Sequence, residues 1–359
     1  MSKRWAGGIL AIIWRVVGWF FWCLLGLWTA LALFYTAPVA SWLAAVLAIG
    51  TAVLFVIAMP ERFYVRGRGI PWRDLRRTMA ALAVTAIVAF WYFVILTPDP
   101  NQEWATDHAK MPHVEFVGDK VHVDNVRDFD WHTATDFTPR YCQRVYDLNA
   151  INSMYYLVVP LPELDGVAHV FVCFGFTDGQ HVAVSVEGRR VMGRPYQVIA
   201  SMFRQYQLIY IVGEERDVVG KRGAIWKFPV RFYPARTTPD RMRALFVDMM
   251  ERAHSLEEHP EFYHLLLNNC MNNITYHLRR LGGRPIPSDL RLLLTGFSDQ
   301  VAFEYGLLDT DLSFEQAHRA FRIDEWMRDT PRDDQFSQRL RERLAKQVAD
   351  TAARGSGAE

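Results

Sequence analysis

The sequence predicts an α+β protein with an N-terminal transmembrane region, and three observations support this fold class. Long uncharged apolar stretches lie near the N-terminus. A central part is rich in β-branched and aromatic residues separated by Gly, Pro and Asp, which is typical of strands. Segments with apolar residues at helical spacing follow toward the C-terminus. Strands followed by helices predict an antiparallel sheet with helices packed on it.

Three apolar stretches near the N-terminus each approach the ~20 residues that a helix needs to cross a bilayer. They cover about residues 16–35, 37–59 and 79–97, within a membrane region of residues 1–98. Lipid offers no partners to backbone groups, so these stretches are expected to be helices. The first is too long for the apolar core of a signal peptide and leads directly into the second, which favours uncleaved helices.

Basic residues predict the orientation of these helices. They are Lys3, Arg4 and Arg15 before the first span and Arg62, Arg66, Arg68, Arg73, Arg76 and Arg77 between the second and third. The link between the first and second spans carries no charge. Because positive loops stay in the cytoplasm, we expect a cytoplasmic N-terminus in a bacterial inner membrane. Asp99 and the residues after it would then lie in the periplasm.

The exported part has more acidic than basic residues. This balance argues against a nucleic-acid partner and against a broadly cationic membrane-binding surface. Three cysteines, Cys142, Cys173 and Cys270, lie in this part, where disulfides can form. An odd number leaves at least one thiol unpaired. A Cys142–Cys173 pair would leave Cys270 free, but the sequence leaves that pairing open.

The exported domain is predicted to cover residues 99–330. Its polar first part, Asp99 to Leu148, is expected to be irregular with short strands. Five strand-like runs follow, in SMYYLVVPL, VAHVFVCFGF, QHVAVSVEGRR, YQLIYIVGEERDVVG and WKFPVRFYPA. The pair Asp178-Gly179 predicts a hairpin between the second and third runs.

Helices are predicted after the strands. Thr238 and Pro239 are typical of the N-cap and first residue of a helix. A second helix is expected to begin near Cys270 and to end at Gly282-Gly283. FEQAHRAFRIDEWMR and QFSQRLRERLAKQVADTAA are predicted to be amphipathic helices. The second of these, with a flexible GSGAE tail, makes up a C-terminal segment of residues 331–359.

Cys270 is a candidate nucleophile because of its place at the start of a predicted helix. A helix N-terminus favours the thiolate, and the preceding Asn269 is a good N-cap. Backbone N–H groups around Asn269 and Met271 are also candidates to stabilise an oxyanion. The alternative is a buried structural cysteine, which is the commoner role of a free thiol.

A base for Cys270 has to come from elsewhere in the chain. His277 lies two helical turns away, about 10 Å along the axis, and is too distant to share the thiol proton. His169 lies on a predicted strand, and the hairpin brings a polar residue of the next strand, where His181, Ser185 and Glu187 share a face, close to it. The predicted elements would then supply a nucleophile on a helix, a base on a strand and an orienting group on the neighbouring strand. Structural alternatives are a hydrogen-bonded strand-end His169 and a solvated Glu187.

Neither a metal site nor another cofactor is expected. The sequence contains no HExxH or CxxC pattern, and His254, His259 and His264 are spaced by five residues, which does not align them on one helix face.

Three segments resemble the Lnb-type N-terminal periplasmic domain proteins of bacteria. They are AHVFVCFGFTDGQHVAVSVEGRR, FRQYQLIYIVGEERD and EFYHLLLNNCMNNI. The resemblance implies a circularly permuted papain/NlpC-like fold with Cys270 as nucleophile and His169 as base. It leaves open whether Glu187 or Ser185 is the third catalytic residue. The family usually has two threonines after the cysteine, where this chain has Met271 and Asn272, so a different substrate preference is expected.

The resemblance also implies a function, that of a membrane-anchored, thiol-dependent acyltransferase. An acyl chain would pass from a phospholipid to Cys270 as a thioester, and then to the N-terminal amine of a diacylglyceryl-cysteine lipoprotein. The expected partners are therefore the phospholipid donor, the lipoprotein acceptor and the membrane. The alternatives are a periplasmic cysteine amidase or peptidase acting on cell-wall peptides, and a non-catalytic binding module of the envelope.

Overall fold

The computed structural model describes residues 2–59, 72–162, 164, 166–282 and 289–356, without the side chains of residues 2–11, 355 and 356. Two compact units make up the chain, Met1–Asp99 with Tyr196–Gln205, and Pro100–Pro195 with Tyr206–Glu359. We call them the helical unit and the sheet unit. The predicted mixture of N-terminal apolar helices and an α+β domain is confirmed.

The helical unit contains α1 (Ser2–Thr36), α2 (Ser41–Ile57) and α3 (Trp72–Phe90), and a π-helical turn, Trp91–Ile95, extends α3. Two segments are long and apolar enough to cross a membrane, Ile12–Thr36 and Trp72–Ile95. The second predicted span corresponds to the shorter apolar α2, of 17 residues. Of the arginines that predict the orientation, Arg62, Arg66 and Arg68 lie outside the described residues.

The three helices pack closely on one another. At Gly26 of α1, an added Cβ would lie 2.7 Å from the ring of Phe55 in α2, so a larger residue would push these helices apart. Trp91 Nε1, just after α3, donates to the carbonyl of Thr36 at 3.2 Å. The C-terminal ends of α1 and of the α3 extension therefore lie together.

The segment Tyr196–Gln205, between two strands of the sheet unit, belongs to the helical unit. Phe203 is buried and stacks on Tyr35 near the end of α1, with ring centroids 5.4 Å apart. Arg204 lies 4.6 Å from the ring centroid of Tyr92 and donates to the carbonyl of Leu96 at 3.1 Å. These contacts fix the segment to the ends of the two longest apolar helices.

The sheet unit is built on one large sheet. Its strands are β1 (His113–Val117), β2 (Lys120–Arg127), β5 (Tyr141–Asp147), β6 (Ile151–Pro160), β7 (Ala168–Phe176), β8 (His181–Arg189), β9 (Gln207–Gly213) and β10 (Arg231–Pro234). The strand order is β1-β2-β9-β8-β7-β6-β10, with β5 also paired to β2. All pairs are antiparallel except β2 and β9, which meet at Arg127 and Gly213. A separate small ribbon joins β3 (Asp130–Trp131) and β4 (Phe137–Thr138).

Helices cover both faces of this sheet. They are α4 (Glu215–Gly220), α5 (Pro239–Glu258), α6 (Cys270–Arg280), α7 (Ser298–Glu304), α8 (Phe314–Ala320), α9 (Asp324–Met327) and α10 (Phe336–Ser356). Phe246 of α5 packs edge-on against Phe174 of β7. On the opposite face, the Arg341 guanidinium of α10 lies 4.7 Å from the ring centroid of Tyr155 in β6. Alternate residues of the central strands therefore face different helices.

Two local predictions differ from the structure near the start of the domain. Residues 99–148 contain the regular strands β1, β2 and β5 rather than mostly irregular chain. The sequence ERDVVG, predicted to continue a strand, forms α4. The reason is Asp217, whose buried carboxylate accepts from Arg127 Nε and Trp131 Nε1, both at 2.8 Å. Helix α4 brings this carboxylate to its donors.

Near the C-terminus, FEQAHRAFRIDEWMR forms two short helices, α8 and α9. The break lets this backbone pair with the strand β10 region. Phe232 N–H donates to the Phe321 carbonyl and Ile323 N–H donates to the Val230 carbonyl, both at 2.9 Å. The end of α6 at Arg280 lies close to the predicted Gly282-Gly283, but Gly283 and tail residues 357–359 are outside the described residues. All four cysteines lie in described regions and are free, so Cys142 and Cys173 are not joined.

Candidate active site

Cys270 is the first residue of α6, and a capping box holds it there. The Asn269 side chain accepts from Asn272 N–H at 2.8 Å, and the Asn272 side chain accepts from Asn269 N–H at 3.2 Å. This reciprocal pair satisfies backbone donors at the helix start. The Cys270 residue is 5% exposed, so a reagent or substrate has narrow access to the thiol.

The sulfur of Cys270 lies where the sheet opens. Strands β7 and β8 pair from Val172 to Gly175 on the β7 side, and this pairing does not reach His169. The backbone N–H of Val170 lies close enough to the Cys270 sulfur to lower the pKa of the thiol. That N–H belongs to the peptide unit that joins His169 to Val170. The N-terminus of α6 therefore meets β7 directly beside His169.

His169 begins a chain of hydrogen bonds through the neighbouring strand. Its Nε2 atom lies 2.7 Å from Ser185 Oγ, and Ser185 Oγ donates to Glu187 Oε1 at 2.8 Å. Because the hydroxyl proton is directed to Glu187, Ser185 accepts from His169 Nε2–H. This direction selects the neutral tautomer in which His169 Nδ1 keeps its lone pair. The imidazole is therefore prepared to act as a base through Nδ1.

Glu187 is held by two further residues that the sequence reasoning missed. Arg222, in the π-helical turn after α4, donates to Glu187 Oε1 at 2.6 Å. His108 Nε2 lies 3.3 Å from Glu187 Oε2, and His108 Nδ1 accepts from Arg190 N–H, also at 3.3 Å. With Nδ1 an acceptor, His108 Nε2 carries the proton and donates to the carboxylate. Neither residue lies in a motif, so the sequence offers no signal for either.

The charges of these groups follow from their surroundings. Burial, followed by the Arg222 charge, lowers the pKa of His169 to about 3. Burial acts to raise the pKa of Glu187, but Arg222 and the hydrogen bond from His108 outweigh it and hold that pKa well below its usual range. Burial also raises the pKa of the Cys270 thiol, although the backbone N–H groups of Val170 and Met271 oppose it. The resting site at neutral pH therefore holds a thiol, a neutral imidazole and a carboxylate.

The structure brings together most of the residues that the sequence analysis selected. His169, Ser185 and Glu187 form one chain, and the two candidates for the third position lie in series. The backbone N–H of Met271 lies close enough to the sulfur to lower the pKa of the thiol. The Asn269 donors are used elsewhere, since its N–H binds Asn272 and its side-chain amide donates to the Leu265 carbonyl. Asn269 therefore positions the helix start and is not a free oxyanion donor.

His277 lies outside this hydrogen-bond chain. It is fully buried, with Nδ1 at 2.7 Å from Asp248 Oδ2 and Nε2 at 2.7 Å from the Tyr210 hydroxyl. Among the described residues, His113, His254 and Glu257 could together hold a metal ion, with ligand atoms within 4.8 Å of one another. That cluster lies on β1 and α5, whereas the site is built from β7, β8 and α6.

Leucines are exposed on both sides of the site. Before Cys270, the turn from His264 to Asn268 is fixed because His264 Nδ1 accepts from the N–H groups of Leu266 and Leu267. This turn leaves Leu267 76% exposed and Leu266 45% exposed. On the His169 side, Thr295 Oγ1 accepts from Ala168 N–H at 2.8 Å. The segment around Thr295 exposes Leu290, Leu293, Leu294 and Phe297. We call these two exposed groups the leucine rim.

Comparison with known proteins bears on the family that the chain resembles. None of the curated proteins and none of the solved structures matches the chain significantly. Residues 137–296 match the family model described as the Lnb N-terminal periplasmic domain. This range includes Cys270, His169, Ser185 and Glu187, and it confirms the resemblance drawn from the sequence. Residues 137–296 are therefore similar to the Lnb N-terminal periplasmic domain, and N-terminal helices apolar enough to cross a membrane precede them.

Proposed function

We propose that this protein is a membrane-anchored acyltransferase that moves an acyl chain from a phospholipid, through a thioester on Cys270, to the N-terminal amine of a diacylglyceryl-cysteine lipoprotein. The observation that carries the proposal is the hydrogen-bond chain from His169 through Ser185 to Glu187, beside the sulfur of Cys270. The chain order, with the His169 strand before the Cys270 helix, supports a circularly permuted papain-like arrangement.

In the first half-reaction, His169 Nδ1 takes the thiol proton while the Cys270 sulfur bonds to the ester carbonyl carbon of the phospholipid. The resulting imidazolium is stabilised by Glu187 through Ser185. Backbone N–H groups of Cys270 and Met271 at the start of α6 are available to the oxyanion. When the carbonyl re-forms, the ester C–O bond breaks and the lysophospholipid oxygen leaves with the proton from His169.

In the second half-reaction, the lipoprotein α-amine attacks the thioester carbonyl. His169 Nδ1 accepts a proton from the attacking nitrogen, the C–S bond breaks, and the proton returns to the Cys270 sulfur. The products are an N-acylated lipoprotein and the free thiol. A neutral His169 suits both half-reactions. It can accept the thiol proton before the ester C–O bond breaks, and the amine proton before the thioester C–S bond breaks.

The leucine rim favours a lipid substrate over a cell-wall peptide. Leu267 and Leu290 are 76% and 77% exposed, although burial of such side chains is strongly favourable. Exposed apolar groups on both sides of a reactive thiol are expected where the site contacts lipid. A membrane anchor with the N-terminus in the cytoplasm and the sheet unit in the periplasm would hold the site near the bilayer.

The proposal is tested by incubating the full-length protein with phospholipid vesicles and searching for an acyl adduct by intact and peptide mass spectrometry. We expect an adduct on Cys270 that disappears in Cys270→Ser and persists in the control Cys142→Ser. Addition of a synthetic diacylglyceryl-cysteine peptide should remove the adduct and yield the N-acylated peptide.

Two other outcomes correspond to the alternative functions. Hydrolysis of muropeptides by the wild-type protein, with no lipid adduct, would identify a cysteine amidase or peptidase. Complementation of a deletion strain by Cys270→Ser would identify a non-catalytic binding module. Either result would overturn the acyltransferase.

A further inference from the structure

An apolar cavity lies along α6, lined from Met271, the residue after Cys270, onward, and has no role in the chemistry described above. Its volume is about 430 Å³, within the range of roughly 300–1,000 Å³ of ligand pockets. One wall is a single face of α6, formed by Met271, Ile274, Leu278 and Leu281. From the first of these residues to the last the helix rises about 15 Å, at about 1.5 Å per residue. The cavity therefore begins one residue from the nucleophile and follows the helix to its end.

The other walls are also mainly apolar. Val172 of β7 and Leu245 of α5 line the cavity, together with Val301 and Ala302 of α7. Near the thiol, the Tyr156 hydroxyl is bound to Ser298 Oγ at 2.7 Å. Burial raises the pKa of Tyr156, and Cys270 is a weaker contributor to the same shift. Tyr156 therefore lies within electrostatic reach of the sulfur and also lines the cavity.

The cations that line the cavity are already neutralised or bonded. Arg236 Nε lies 3.2 Å from Asp309 Oδ1. Arg241 donates to the carbonyl of Gly282, just past the C-terminal end of α6. Arg241 therefore lies at the end of the helix opposite to Cys270. Met271, Val172 and Ile274, which are apolar, line the cavity as well.

We propose that this cavity binds the hydrocarbon chain of the acyl-thioester on Cys270 and limits its length. This inference rests on the proposed function and adds the place of the acyl chain. Met271, where the family usually has threonine, lines the cavity beside the nucleophile. The apolar side chain at this position suits an alkyl chain that starts at the sulfur. Leu292 also lines the cavity and lies in the same turn as the exposed Leu290, so the cavity wall continues into the leucine rim.

The test places tryptophan at successive turns of the cavity-lining face of α6. Full-length Ile274→Trp, Leu278→Trp and Leu281→Trp proteins are incubated with phosphatidylglycerol vesicles that contain short, medium and long saturated chains in equal amounts. The chain lengths found on Cys270 are then compared by mass spectrometry. Ala349→Trp, in the groove beside α10, provides the matched control.

We expect the longest accepted chain to shorten most for Ile274→Trp, less for Leu278→Trp and least for Leu281→Trp. Exclusion of about two methylenes lowers the ratio of long-chain to short-chain adduct about tenfold. Ala349→Trp should retain the wild-type profile. A general folding defect would lower all adducts without this order. If Ile274→Trp fails to fold, the comparison of Leu278→Trp with Leu281→Trp still gives the order.

Failure of this inference is distinguishable from failure of the proposed function. Identical chain profiles in the wild-type and all folded tryptophan variants would overturn the cavity assignment while leaving the acyltransferase intact. Absence of any adduct on wild-type Cys270, from vesicles and from the activated ester p-nitrophenyl acetate alike, would overturn the nucleophile and both proposals with it.

Discussion

His169 Nε2 donates to Ser185 Oγ at 2.7 Å, and this single hydrogen bond selects the imidazole nitrogen that can act as a base. Ser185 in turn donates to Glu187, so the hydroxyl cannot also donate to the imidazole. The Glu187 carboxylate can only accept, so it sets the direction of donation in both hydrogen bonds, from His169 to Ser185 and from Ser185 to Glu187. Its consequence is an unprotonated Nδ1 in the resting site.

Removal of the Ser185 hydroxyl should slow thioester formation. Ser185→Ala deprives His169 of the acceptor that selects its tautomer, and we expect the rate to fall about 10²-fold. Stopped reactions with vesicle substrate, followed by mass spectrometry of Cys270, measure this rate. Ser201→Ala is the matched control, because Ser201 is also buried but bonds the Val198 carbonyl in the helical unit. Equal rates in the two variants would contradict the assignment of Ser185.

Neutralisation of Glu187 should destabilise the sheet unit. Arg222 is 5% exposed and Glu187 is 17% exposed, and Glu187→Gln leaves the buried guanidinium without its counter-charge. We expect the free energy of unfolding to fall by about 3 kcal/mol. Chemical denaturation measures this change. Glu214→Gln is the control, because its partner Arg144 is 36% exposed, and that variant should lose about 1 kcal/mol or less.

The reactivity of Cys270 should rise with pH across the neutral range. Burial raises the pKa of this thiol above its ordinary value, and His169 remains neutral because its pKa is lowered to about 3. Only the minor thiolate fraction reacts with iodoacetamide, so the rate should grow about tenfold per pH unit below the thiol pKa. Peptide mass spectrometry resolves Cys270 from the other cysteines. A rate that stays constant from weakly acidic to neutral pH would instead reveal a preformed thiolate–imidazolium pair.

Loss of the cap of α6 should affect catalysis beyond its cost in stability. Asn269→Ala removes the side chain that accepts from Asn272 N–H, and it should lower the free energy of unfolding by about 1 kcal/mol. It should also slow thioester formation, because Cys270 is the next residue. Ser313→Ala removes a similar capping box from α8 and should cost a comparable stability. Equal acylation rates in these two variants would show that Asn269 acts on stability alone.

The leucine rim should matter most when the donor is held in a bilayer. Replacement of both Leu266 and Leu267 by serine removes apolar area that would contact lipid, so acylation of Cys270 from vesicles should fall. With detergent-dispersed donor, the decrease should be smaller. Val117→Ser, at an exposed position of β1, is the control for loss of a surface apolar group. An equal decrease with both forms of donor would argue against contact of the rim with the bilayer.

Local sequence patterns predicted the elements that carry the site. Alternation of apolar residues located β7 and β8, and Thr238 with Pro239 marked the start of α5. Cys270 was placed in the first turn of a helix because asparagine is a good cap, and the structure has it as the first helical residue. These features depend on neighbours in sequence, which is why one sequence was sufficient to find them.

Other features depended on contacts between distant parts of the chain. Helix α4 was expected as strand because it continues the β-branched run YQLIYIVG, and its conformation follows from the place of Asp217 beside Arg127 and Trp131. His108 and Arg222 reach Glu187 from segments 79 and 35 residues away, and no local spacing records such contacts.

The sequence by itself determined the apolar helices, the order of strands before helices, and the candidate pair of Cys270 and His169. Only the tertiary structure decided that Ser185 and Glu187 lie in series, both in one hydrogen-bond chain from His169, since that depends on hydrogen-bond direction across two strands. It also decided that the first turn of α6 opens onto an apolar cavity. Periodicity fixes which side of an element a residue occupies, whereas the identity of the group across from it depends on how the elements pack.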